Sequence, residues 1–534
     1  MSPANEEFVL AIDLGTSGPK VAVVSEGGSI HGSAVRRVEA FHVAQGGVEQ
    51  DPEAVWRAVV EASREAIARS SVPPSRVIAA ICDSHFFSLV GLDRQLRPTT
   101  NVMVWSDRRG RRDLLSQFPG FRPDSLWRQL QWLRIHGIPT TSTGMDNVGK
   151  LRWLKLAQPK VYDDTAWFLE PMDYIACRLT GLPRATLCTA FPMQVTDNRR
   201  INDPQYSARL LAYAGIDPAK FPPLLPVDGI IGRVLPEVAD LMGISSDCQV
   251  ITGLNDTQAG AVACGAFRGN HAGIVLGSSG VLVTHTRRKK TDIRTALFTI
   301  PSPVAGEYLV TAEGGTAGRA LEHFLEFIVF SEDGFGRFAA DDPYSRLEAV
   351  LTASSPGSNG VLFLPWMTGS IAPRPDGHMR GGFLNVGLGT SRADLARAVL
   401  EGICFTYHDM AVAARRFDQR EFSHFVLYGG GALSDTWSQT MADIVQVPVH
   451  RMNQPRLCNC YGLGMLAFQR LGRLSLDDIA ARVPIDHVFE PNPALRTLYE
   501  EKNAAMSLAF KSNRPVFSRL NRRAGMMEEP QEHE

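Results

Sequence analysis

Two short segments of this chain carry the same turn. Leu14-Gly15-Thr16-Ser17-Gly18 lies between apolar runs, and so does Leu276-Gly277-Ser278-Ser279-Gly280. Such a turn between two strands points consecutive backbone N–H groups and hydroxyls into one concavity, which suits a phosphate. Either turn alone reads as an ordinary hairpin; the pair could clamp a polyphosphate from both sides. The copies are unequal. Asp13 precedes the first Leu-Gly and Val275 the second, so only the first brings a carboxylate that could help hold a hydrated Mg²⁺. Lys20 leaves the first turn with a charge that could reach a terminal phosphate. A third segment, Phe425-Val-Leu-Tyr428 followed by Gly429-Gly430-Gly431-Ala432, reads as a strand running into a helix that opens at Ser434 or Asp435. Glycines there would let a flat ring lie against backbone, although a plain strand-to-helix turn reads the same.

These residues need strands and helices to hold them. FVLAIDLG, KVAVVS and SIHGSAV, separated by Gly turns, read as consecutive antiparallel hairpins. The stretch 51–70 reads as a helix: Asp51 caps it, Pro52 suits its first turn, and Val55, Val59, Ala62 and Ala66 recur on one face. VIAAICDS reads as a buried strand, and the alternation implies an α/β architecture. Residues 272–286 repeat the pattern of 10–24 about half a chain away, which suggests a duplicated domain. The expected units are 8–265 and 266–510, with 511–534 a polar, charge-blocked tail expected to be disordered.

The 534 residues favour two large domains. With 55 basic against 56 acidic residues, nothing draws the whole protein to nucleic acid or an anionic membrane. No signal peptide or spanning segment is read, and eight scattered cysteines suit reduced core thiols in a cytoplasmic protein. Gly144 to Lys150 mimics a P-loop but fails at Leu151, where Ser or Thr should stand. Gly462-Leu-Gly464-Met-Leu-Ala467 mimics a dinucleotide fingerprint and reads instead as a helix of small residues. RRKK at 287–290 reads as a solvated loop.

The three pieces, in this order, resemble the FGGY family of carbohydrate kinases, its xylulose kinase-like branch, within the actin-like ATPase superfamily. Trp105-Ser-Asp107-Arg-Arg109, GLNDTQAGAVACGAF, RAVLEGI at 397–403 and the stretch from Leu151 to Gly181 belong to the same resemblance. It implies two actin-like (ribonuclease H-like) domains with an ATP cleft between them, a small sugar or polyol substrate and Mg²⁺. A homodimer is compatible with it. It implies that Asp256 is the catalytic base and a metal contact, and that Asp13 holds the metal through water. Gly15, Thr16, Ser17 and Lys20 fall on the first phosphate loop, and Gly277, Ser278 and Ser279 on the second. Gly318 and Glu322 fall near the nucleotide; Gly430, Gly431, Ala432 and Asp435 fall on the adenosine pocket. His85, Phe86, Phe87, Trp105, Asp107 and Asn255 fall on the substrate side. The chain departs from the pattern at Phe86-Phe87, where xylulose and glycerol kinases carry polar residues. An alternative reading is therefore a sugar- or nucleotide-binding regulator on the same fold.

Overall fold

In the computed structural model, residues 6–330, 344 and 346–521 are described, with the two-residue strands Glu332–Asp333 and Gly336–Arg337 between them. Two sheets organise the chain. In the first, Ile30–Val35, Gly18–Ser25 and Phe8–Gly15 run antiparallel, then Val77–Ser84 and Gln249–Ile251 add on in parallel, with Ile230–Arg233 at the edge. In the second, Tyr308–Thr316, Ser279–Thr286 and His271–Leu276 run antiparallel, and His424–Tyr428 and Val449–Met452 follow in parallel. The central five strands thus have the same order and directions in both halves, and the two hairpins hold the same place in each. That repetition is the duplication expected from the paired turns.

Strand alternation explains how each sheet is buried on both faces. Leu10, Ile12 and Leu14 point to a core that includes Val55, Val59, Ala62 and Ala66 of the helix Pro52–Ser70. Asp51 caps that helix by accepting from the N–H of Glu53 at 2.9 Å. Val9 and Ala11 point the other way, into a core shared by both halves. Between the sheets lie two helices, Asp256–Ala263 and Cys458–Arg470. Their small residues let them meet closely: a Cβ on Gly462 would stand 2.3 Å from the carbonyl oxygen of Ala259, and one on Gly464 would stand 2.6 Å from Val24 Cβ. The glycines of the dinucleotide-like motif are there for packing.

Two expectations change. The closing helix Arg496–Asn521 runs on through the first part of the segment 511–534 read as a disordered tail; residues 522–534 lie outside the described residues. Its extension is held by Phe517 against the second-half core, by Arg514 to Asp376 at 2.6 Å, and by Asn521 to the carbonyl of His378 at 2.9 Å. In the Lys-rich run, Lys289 is no free surface charge, because it donates to the carbonyls of Leu133 and Arg134. Those carbonyls lie near the negative end of the helix Leu126–Ile135, where a cation is favoured. In the P-loop mimic, Asp146 caps the helix Asn147–Ala157 and Lys150 is buried inside the protein. All eight cysteines are buried and free.

Candidate active site

The register of the first sheet assembles the site. Asp13 pairs across the hairpin with Lys20 and along the sheet with Asp83, and Asp83 pairs in turn with Leu254 of the short strand Leu254–Asn255. Asp256 follows as the first residue of the junction helix. Adjacent strands therefore end together and bring Asp13, Asp83 and Asp256 close at their carboxyl ends, the usual place for a ligand in such sheets.

Lys20 Nζ meets Asp13 Oδ2 at 2.8 Å, and this pairing holds its charge up. Asp256 accepts at Oδ1 from the N–H of Thr257 at 2.7 Å. Burial and the charge of Asp13 push its carboxyl up to about 6. The helix N-cap is Asn255, in a reciprocal box with Gln258, so Asp256 is free of the capping duty that a lone Asp before a helix would have. Asp83, 0% exposed, went unremarked in the sequence. It reads there as the tail of a buried strand, yet an apolar run ending in Asp is also the signature of Asp13. Three carboxylates face one ammonium, and that surplus of hard oxygen donors fits a divalent cation. Among the described residues they do not converge as direct ligands of a metal ion would.

The first turn is braced. Gly18 has φ +122°, and a Cβ there would lie 2.2 Å from the carbonyl oxygen of Arg36, so no other residue fits. Gln50 donates to the carbonyl of Thr16, Val38 to that of Ser17, and Trp105 Nε1 to Thr16 Oγ1 at 3.1 Å. Ser17 stays exposed. In the second half, Ser278 and Ser279 are exposed in their turn. The helix Gly318–Phe324 abuts it: Gly318 donates to the carbonyl of Gly277 at 2.8 Å, and a Cβ on Gly318 would clash with that oxygen at 2.6 Å. Gly429 and Gly431 pack on Leu276, while Gly430 faces open space and Ala432 is buried. Glu322 is half-buried on that helix. Asp435 is exposed and ion-paired with Arg451.

The expected substrate residues separate. His85 is buried; its Nδ1 bonds the carbonyl of Leu14 at 3.2 Å. A carbonyl only accepts, so Nδ1 carries the hydrogen. Burial pushes this imidazole down to about 4, and the neutral ring presents Nε2 as a bare acceptor without a partner. Asn255 Nδ2 is likewise buried and unpartnered. Phe86 packs on Phe191 and the shared core. Trp105 braces the first turn through Thr16. Asp107 is a correction: it is 0% exposed, and Arg109 and the N–H of Val48 take its oxygens. It is a structural anchor. Contacts distant in sequence hold the 85–88 loop. Buried Lys150 donates to the carbonyl of Phe87, Asn147 to that of Ser88, and Glu170 accepts from the N–H of Ser88. Phe87 is left-handed at φ +57°, and these contacts fix it there.

Residues 8–263 match the model for the N-terminal domain of the FGGY family of carbohydrate kinases, and residues 272–470 match that for its C-terminal domain. This chain belongs to the FGGY family of carbohydrate kinases. It is a phosphotransferase of two actin-like α/β domains. A xylulose kinase of Staphylococcus epidermidis is 25% identical over 529 residues, covering 96% of this chain and 99% of that protein. The gluconate kinase structure from Lactobacillus acidophilus superposes with a TM-score of 0.83 at 22% identity, over 96% of this chain and 100% of that one. The ligand-bound xylulose kinase from the same organism gives 0.82 at 22% identity, with the same coverage. No helix among the described residues is long and apolar enough to cross a membrane. Trp105→Phe keeps the ring and removes the hydrogen bond to Thr16. Steady-state kinetics of this variant are expected to show a nucleotide KM raised several-fold, about 1 kcal/mol, with Tm unchanged.

Proposed function

We propose that this kinase transfers the γ-phosphate of ATP to a hydroxyl of a small sugar or polyol, a pentulose such as xylulose first among them, across units 8–265 and 266–510. The observation that carries this reading is the convergence of Asp13, Lys20 and Asp256 beside a braced Gly-Thr-Ser turn. The curated relative and both solved structures named above are sugar or sugar-acid kinases.

Each residue then has a task. The turns at Gly15–Ser17 and Gly277–Ser279, exposed at Ser17, Ser278 and Ser279, hold phosphates with N–H groups and hydroxyls. Gly318, Glu322, Gly430, Gly431, Ala432 and Asp435 surround the adenosine. Lys20 carries a permanent charge to a phosphate oxygen. Asp13, through water, and Asp256 hold Mg²⁺, which when bound neutralises charge on the transferring group. Asp256 takes the proton of the attacking hydroxyl; phosphoryl transfer asks for positioning more than for a strong base. His85 Nε2 accepts from a sugar hydroxyl, Asn255 Nδ2 donates to one, and Phe86 and Phe87 form an apolar wall.

A screen of ketoses, alditols and aldonates by coupled ADP release tests this. A ketopentose is expected to stimulate turnover. Nucleotide binding with no stimulation by any candidate would favour the regulator reading. His85→Leu is expected to raise KM for the sugar about tenfold, the cost of one lost hydrogen bond at a buried site, with KM for ATP unchanged.

A further inference from the structure

Asp83 has no evident structural reason to be a carboxylate. It is 0% exposed, it lies at the end of the apolar strand Val77–Ser84, and neither of its oxygens accepts from an N–H or hydroxyl donor among the described residues; the group within hydrogen-bonding reach is the carboxyl of Asp13. A buried carboxyl whose hydrogen-bonding neighbour is another carboxyl is costly to keep ionised. Filling the volume alone would be done better by an apolar residue or by Asn. Its neighbours sharpen the problem. The charged groups acting on it are Asp13 and Asp256, both of its own sign, and Lys20, whose ammonium is already bonded to Asp13.

Lys20 is the adjustable member. Its side chain is 38% exposed and its ammonium makes one ion pair, with Asp13. A phosphate that draws this ammonium away leaves Asp13 and Asp83 side by side with no cation between them. We propose that Asp83 is a further positioning residue for the divalent cation, bonding the ion's water shell from the strand next to that of Asp13. The arrival of nucleotide then exchanges the Lys20 ammonium for the hydrated ion, and Asp83 makes that exchange favourable. This rests on the kinase reading above. Asp83 touches neither sugar nor phosphate, so it fixes where the ion sits and takes no part in the proton transfer.

The test is the effect of Mg²⁺ on ADP affinity, measured by calorimetry on the full chain in EDTA and in MgCl₂. Wild type is expected to bind ADP at least about tenfold more tightly with Mg²⁺, the scale on which groups behind a metal's direct contacts act. In Asp83→Asn the enhancement is expected to shrink to about twofold, with affinity in EDTA unchanged and the ligand-free protein melting no lower than wild type. An enhancement in Asp83→Asn equal to that of wild type overturns the proposal. So does a wild type without any enhancement, or an Asp83→Asn chain that fails to fold, which would make Asp83 a structural residue. Failure of the kinase reading shows separately, as a wild type that phosphorylates no sugar with Mg·ATP.

Discussion

Asp256→Asn is expected to lower kcat by a factor of about 10² to 10⁴, the range supplied by one positioned general base, while ATP still binds. The same variant is expected to melt at or above the wild-type temperature. Both follow from one environment. Burial and Asp13 raise the Asp256 carboxyl to about 6, above its value in an unfolded chain. A carboxyl raised on folding favours the protonated form. Its contribution to stability is complete below about pH 4 and is lost as pH rises through about 6. At pH 7 the ionised group is therefore a cost to the fold, about 1 to 2 kcal/mol after screening by solvent at a half-buried position. Asn removes that cost together with the carboxylate. Activity has the opposite pH dependence: kcat/KM is expected to fall as pH drops below about 6, where Asp256 takes up a proton before the substrate can supply one. A full-rate Asp256→Asn enzyme, or a flat pH profile through that region, would remove Asp256 from the chemistry.

The legible part of this protein was the part written in local pattern. Two Gly-rich turns between apolar runs gave two hairpins, and their repetition gave two equivalent sheets. The helix Pro52–Ser70 was readable because its cap, its proline and its apolar spacing agree. What could not be read was set by pairing over long separations. Asp107 looked like a substrate contact until Arg109 and Val48 closed around it. Lys150 and Glu170 are ordinary charges in sequence, and only the fold buries both against the 85–88 loop. The tail was judged on composition, yet Phe517 and Arg514 find partners on the second half. Asp83 is the instructive case. Its signal was present, but a strand ending in Asp gains meaning only when the register sets it beside Asp13.

The junction packing makes a demand that involves no reacting group. In Gly462→Ala the new methyl would lie 2.3 Å from the carbonyl oxygen of Ala259 and 2.9 Å from Ala263. Both belong to the helix that begins at Asp256. That oxygen is backbone and cannot rotate aside, so the helix must shift along its whole length. Overpacking of this kind costs about 1 to 3 kcal/mol. A displacement of the base by about 1 Å can cost about 10² in rate, and kcat is expected to fall by that factor. Gly402→Ala separates the two effects. Its methyl would meet the carbonyl oxygen of Phe363 at 2.4 Å, an overpacking of the same order. Gly402 lies in the helix Arg392–Asp418 of the second half, not in the helix that begins at Asp256. It is expected to lower Tm by a similar amount while kcat per folded molecule stays at the wild-type value. Equal kcat losses in the two variants would mean that stability alone limits turnover. A loss confined to Gly462→Ala would show that the close helix–helix contact is what holds Asp256 in line.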